Sequence, residues 1–249
     1  MTANIVEYFN KIDIIQIGCG GTGGWLAPLV AKLIRNITSR NNQCEFSYTL
    51  IDNDIVEQRN ILRQNFLERD IGKSKVLALA NRYILELEKN LNLLDEKINS
   101  TKKLNEIIKP DTSTDTNLQR LIILLGCVDN NSTRRLLYKY MNNLPLNISC
   151  IYIDSGNDLN KGQVVTTWIN LPEFIGNQDQ TPVNFLKLFT TKKKTETEQS
   201  CAFFGDQTQG LNNFAASIVF LNLQRILITN QLPANYIEFY SSGYSSIKI

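Results

Sequence analysis

Short, almost wholly apolar runs alternate with stretches of helical spacing along most of this chain. Residues 12–18, IDIIQIG, read as a strand buried on both faces and ending on glycine. GCGGTGG follows at 18–24, and an apolar helix runs on to about Ile34, with Pro28 inside it predicting a kink. EFSYTLID at 45–52 is a second strand closing on Asp52. DIVEQRNILRQNF at 54–66 is a polar connection, and DIGKSKVLALANRYILEL at 70–87 opens like a capped helix. Residues 91–118 are polar and predict a short helix and a loop. LIILLGCVD at 121–129 is a further buried strand, followed by a helix over NNSTRRLLYKYMNN. SCIYIDSG at 149–156 and GQVVTTWIN at 162–170 are strand-like. Residues 190–200, TTKKKTETEQS, form a charged loop, and 212–228 has helical apolar spacing before YIEFYSS and SSIKI close the chain.

Strands alternating with helices predict an α/β fold: a Rossmann-like, mainly parallel sheet flanked by helices, with additional C-terminal strands. No repeat or linker divides it, so residues 1–249 read as one domain. An expected division near residue 155 separates the half that holds the glycine-rich segment from a C-terminal half of strands, a charged loop and a final helix.

Composition narrows the function. With 26 basic and 24 acidic residues there is no electrostatic footprint for nucleic acid. No run reads as long and apolar enough to span a bilayer, and MTANIVEYFNKID lacks a secretory core, so the expectation is a cytoplasmic protein without membrane contact. The five cysteines are scattered and odd in number, which opposes a disulfide framework. There is no histidine, which excludes imidazole chemistry, and no paired C-x-x-C, which excludes a common structural zinc site.

The glycine-rich segment sits after a strand and before a helix, the context of a phosphate-binding loop. Gly18 permits the tight turn, Gly20 and Gly21 let phosphate approach the backbone, and Gly23 lets helix and strand pack closely; the helix N-terminus attracts the anion. Asp52 stands where an acid accepts hydrogen bonds from ribose hydroxyls, which NAD and ATP share. Beyond it, Asn60, Arg63, Gln64 and Lys75 follow in order. A diphosphate seldom needs this set; a triphosphate does, with Arg63 and Lys75 as charge-assisted donors. Asp129 ends its strand where a carboxylate and phosphate oxygens hold magnesium, or else where it caps the next helix.

A reaction with triphosphate, magnesium and no histidine suits an ionised carboxylate attacking the α-phosphate, since no general base is needed. The rival readings are an NAD-dependent oxidoreductase, which leaves Arg63 and Lys75 unexplained, and a non-catalytic binding module.

GCGGTGG, LIDNDIVEQRNILRQNF, DIGKSK and CVDNNSTR, in that order over residues 12–170, resemble the ThiF/MoeB family, which shares its adenylation fold with ubiquitin-activating enzymes. The late Ser200–Cys201 and the apolar helix after it look more narrowly like the ThiF-related proteins of the bacterial PRTRC gene cassette. The resemblance implies ATP and magnesium as cofactors, with Asp52 on ribose, Asn60, Arg63 and Lys75 on phosphates, Gln64 beside them and Asp129 on magnesium. Arg134 matches the family's D-N-x-x-T-R, and its neighbour Arg135 reads as a solvated face. The implied activity is adenylation of the C-terminal glycine of a small ubiquitin-like protein with release of pyrophosphate, in some members followed by thioester capture on cysteine. A conjugating-enzyme-like protein and a JAB-type peptidase are implied neighbours, and a homodimer an implied assembly. The chain departs from many relatives in lacking zinc-binding C-x-x-C pairs and an arginine before the first strand, where only Lys11 stands.

Cys201 follows the charged loop, where three lysines would favour its thiolate for transfer; the alternative is a cysteine packed into the last core region. Cys19 reads as a small filler of the phosphate loop, and Cys127 and Cys150 as core.

Overall fold

A computed structural model describes residues 4–40, 43–84, 87, 90–109, 119–175, 181–185, 209–242 and 245–248, the last four by backbone alone. Eight strands form one sheet in the order β3-β2-β1-β4-β5-β6-β7-β8. They are β1 (Lys11–Ile17), β2 (Glu45–Ile51), β3 (Leu91–Leu94), β4 (Arg120–Gly126), β5 (Ile148–Asn157), β6 (Lys161–Ile169), β7 (Tyr236–Tyr240) and β8 (Ser245–Lys248). The first five pair in parallel; β5 with β6, β6 with β7 and β7 with β8 are antiparallel. The expected mainly parallel α/β sheet with extra C-terminal strands is the fold observed.

The period of two along the strands splits the core into two layers. Ile12 and Ile14 of β1 join Leu121, Ile123 and Leu125 of β4 on one face. Ile15 and Ile17 join Ile122 and Leu124 on the other. Helices α1 (Ile5–Tyr8), α2 (Gly21–Thr38), α4 (Lys75–Leu79) and α7 (Gln209–Thr229) cover the first layer. Helices α5 (Thr101–Ile108) and α6 (Asn131–Asn142) cover the second, and the short α3 (Gln58–Ile61) stands in the β2–α4 connection.

Four expectations need correcting. α2 runs unbroken through Pro28, which cannot donate to the carbonyl of Gly24; Asn65 Nδ2 donates to that carbonyl instead at 3.0 Å. The helix expected from residue 70 starts at Lys75, because Gly72 takes φ +82° and a bridge between Ile55 and Ser74 holds the turn before it. Residues 91–94, expected in a loop, add the edge strand β3 beside β2, since its carbonyls and amides have a parallel partner there. Finally, α7 is by length and composition apolar enough to cross a bilayer. It is a core helix here, with Leu211, Ala215, Val219, Leu223 and Ile226 buried against α2 and the sheet.

Candidate functional site

The chain leaves β1 toward β2 and β3, then returns to β4 on the other side of β1, so the strand order switches between β1 and β4. Ligands of open α/β sheets bind outside the carboxyl ends of the strands at such a point. A cleft of about 1080 Å³ opens there. Gly18, Gly20, Gly21, Asp52, Asn60, Arg63, Gln64, Lys75, Asp129 and Arg134 all line it. Of the expected site residues within the described chain only Gly23 stands behind the lining. Cys201 lies outside the described residues.

The floor is the turn from β1 into α2. Gly18 has φ +99°, and a Cβ there would sit 2.3 Å from the carbonyl oxygen of Cys127, so only glycine fits between β1 and β4. Gly23 packs so closely that a Cβ would lie 2.0 Å from the carbonyl oxygen of Gly18. Gln16, buried in β1, ties this turn from below: its Nε2 donates to the carbonyls of Gly18 and Gly23 at 3.0 Å, and Tyr48 Oη donates to its Oε1 at 2.7 Å. Gly20 caps this eighteen-residue helix, so the cap residue itself puts no side-chain acceptor on the N-terminal amides.

Asp52 stands at the end of β2. Its Oδ2 accepts from the amide of Cys19 at 2.6 Å and its Oδ1 from that of Asp54 at 2.8 Å, which pins the carboxylate beside the turn. Burial pushes its pKa above the ordinary carboxylate value, against the pull of Lys75 and these two amides. Lys75, buried at the start of α4, reaches the cleft with its Nζ 2.8 Å from Asp54 Oδ2. Asp54 was not expected as a site residue, although its i+2 spacing from Asp52 in DND carries the signal.

Asn60 Oδ1 accepts from the amide of Glu57 and so holds the α3 turn that presents Arg63 and Gln64. The Gln64 side chain lies against Gly20, and its Oε1 is buried with no donor among the described residues. The helix α6 is capped by Asn130, whose Oδ1 accepts from the amide of Thr133 at 2.8 Å. Asp129 is therefore not the cap and remains exposed on the cleft wall.

Arg134 has a different setting. Its Nη2 donates to the carbonyls of Val128 at 2.8 Å and Ser155 at 3.1 Å, and its Nε lies 3.2 Å from Asp154 Oδ2. It ties the end of β4 to the end of β5 beneath the cleft wall, a role invisible in the sequence because Asp154 is twenty residues away. Cys127, expected in the core, follows β4 and borders the cleft; burial raises its thiol to about 12. Cys19 and Cys150 are buried, and burial raises both thiols.

The ThiF family model matches residues 6–246. This chain belongs to the ThiF family. The crystal structure of PaaA superposes with a TM-score of 0.60 at 19% identity, over 97% of this chain and 65% of that one. E. coli MccB gives 0.61 at 17% identity, over 94% and 62%. E. coli MccB with ATP gives 0.60 at 20% identity, over 95% and 63%. This ThiF-family chain thus spans less than two thirds of the length of those neighbours, and the likeness fixes their common fold. No curated protein matches it in sequence.

Proposed function

We propose that this chain is an ATP-dependent adenylyltransferase that activates the C-terminal carboxylate of a peptide or small protein, and more narrowly the terminal glycine of a ubiquitin-like protein. The observation that carries the reading is the convergence on one cleft of the glycine-capped α2 terminus, Arg63, Lys75 and the exposed Asp129. Family membership supports it. So do the structural neighbours, since E. coli MccB has been crystallised with ATP and with MccA.

In the proposed reaction an oxygen of the substrate carboxylate attacks the α-phosphorus, the bond to the bridging oxygen breaks, and pyrophosphate leaves with the electron pair. The carboxylate is already ionised at neutral pH, so the lack of histidine is no obstacle. The amides of the α2 terminus hold phosphate oxygens, and Arg63 and Lys75 neutralise charge on the departing group. Asp54 steers the Lys75 ammonium, and Asp52 accepts from ribose. Asp129 would hold magnesium, which would supply positive charge to the phosphate oxygens. Capture of the acyl group by the Cys201 thiolate, with loss of AMP, is a second step of the proposal.

Calorimetric titration with magnesium–ATP and with NAD tests the nucleotide class. ATP saturates the wild-type chain, NAD does not compete, and Arg63→Ala weakens ATP roughly ten- to a hundredfold, the worth of one charge-assisted hydrogen bond. Pyrophosphate release then depends on a protein ending in glycine, and mass spectrometry reads whether the acyl group leaves as the adenylate or stays on Cys201. NAD binding alone would return the chain to the oxidoreductase reading. Partner binding without pyrophosphate release would make it a non-catalytic module.

A further inference from the structure

Asn212 lies in the first turn of α7 and is completely buried. A buried primary amide destabilises a fold unless its ends are paired. Both ends pair with walls of the cleft. Nδ2 donates to the carbonyl of Arg63 at 3.1 Å, and Oδ1 accepts from Asn157 Nδ2 at 2.9 Å. The same Oδ1 presses on the phosphate loop, where a Cβ on Gly21 would lie only 2.5 Å from it. Asn157 ends β5, and its own Oδ1 accepts from Thr22 Oγ1 in the first turn of α2 at 3.5 Å. One side chain therefore touches the glycine loop, the arginine turn and the end of β5, three segments far apart in sequence.

Arg63 lies two residues beyond α3, where its amide donates to the carbonyl of Asn60 at 3.2 Å. Asn212 provides a donor for the Arg63 carbonyl, so α7 and the Asn60 carbonyl hold the chain at Arg63 from two sides. We propose that Asn212 is a positioning residue of the nucleotide site: it fixes the Arg63 peptide against the Gly20–Gly21 turn, and so sets the spacing at which the arginine and the α2 amides meet the phosphates. The inference rests on the ATP reading above. It gives α7 a role in the nucleotide site beyond closing the core.

The test compares magnesium–ATP with adenosine by calorimetry on the full chain, since adenosine has no phosphates for Arg63 to meet. Asn212→Ala weakens magnesium–ATP about tenfold, the scale of one buried hydrogen bond left unmade, and changes adenosine binding less than twofold. Because Asn212 acts through Arg63, the Arg63→Ala, Asn212→Ala double variant binds ATP no more weakly than Arg63→Ala alone. Asn222→Ala is the control: Asn222 is buried on the same helix, donates to Thr166 Oγ1 at 3.3 Å, and neither residue lines the cleft. It lowers the melting temperature without altering the ATP-to-adenosine ratio. Should Asn212→Ala fail to fold, Asn212→Leu keeps the branched four-atom side chain without its hydrogen bonds and carries the same expectation. Equal losses for ATP and adenosine, additivity with Arg63→Ala, or wild-type affinity in either Asn212 variant overturns the proposal while leaving the ATP site standing. A wild-type chain that does not bind ATP overturns both.

Discussion

Asp154 has no contact with water, and its neighbours decide its charge. Burial raises its pKa to about 6, against the opposing pull of Arg134 and the hydrogen bond from Tyr152 Oη at 2.8 Å; Cys127 is the other titratable group close by. A carboxyl raised in the folded state holds more protons there than in the unfolded chain between its two pKa values. Stability from this group is therefore present below the ordinary carboxylate range and lost as pH rises through 6. Asp154→Asn removes that loss. The variant should match wild type near pH 4 and gain on it by on the order of 3 kcal/mol by pH 7, read by urea unfolding at both pH values. A constant difference between the two proteins across that range would contradict the assignment. At this scale the sequence shows the residues whose signal is local. Gly18 and Gly20 follow a strand, Asp52 and Asp129 end strands, and Arg63 and Lys75 follow at fixed short spacing. It hides Asp154, Asn157 and Asn212, because their meaning lies in partners brought to them by folding.

Between elements, polar side chains repair what secondary structure leaves unpaired. Asn65 repairs the gap that Pro28 opens in α2, so a proline that predicts a kink sits in a continuous helix. Arg120 acts on a larger scale at the opposite end of the sheet from the cleft. Its Nη atoms donate to the carbonyls of Ile108 and Lys109, closing the C-terminus of α5 at 2.7 and 2.8 Å, and its Nε lies 2.5 Å from Asp13 Oδ2. Ser47 Oγ donates to the other oxygen of Asp13. Arg120→Met should cost about 3–5 kcal/mol in urea unfolding, the penalty of stranding a buried carboxylate. Asp13→Asn in the Arg120→Met background should recover part of it. Failure to recover would mean that the two α5 carbonyls, rather than the stranded charge, carry the cost. The apolar run of β4 was legible as a buried strand because both its faces meet helices. β3 was not, since its four residues alternate weakly and gain strand character only from the edge of β2.

Across the whole molecule, the order of the strands grades stability. β1, β4 and β5 are central, buried on both faces and paired on both sides, whereas β3 and β8 are edges. Native-state hydrogen exchange should be slowest in β1, β4 and β5 and fastest in β3, β7 and β8; comparable protection at the β8 edge would contradict the sheet order. The cleft opens at the carboxyl ends of β1, β4 and β5, so its glycine turn stands on a central strand, with Asp52 on the neighbouring β2. The sequence by itself determined the alternation of strand and helix, the glycine loop and the ordered set from Asp52 to Asp129. Period, turn geometry and short-range spacing are written in neighbouring residues. Only the tertiary structure decided that Asn130 rather than Asp129 caps α6, that Arg134 braces two strand ends, that α7 is a core helix, and that Asn212 joins the loop to Arg63. Each of these depends on which distant groups share a volume from which water is excluded. There an amide or a carboxylate must find its partner wherever the chain has brought one.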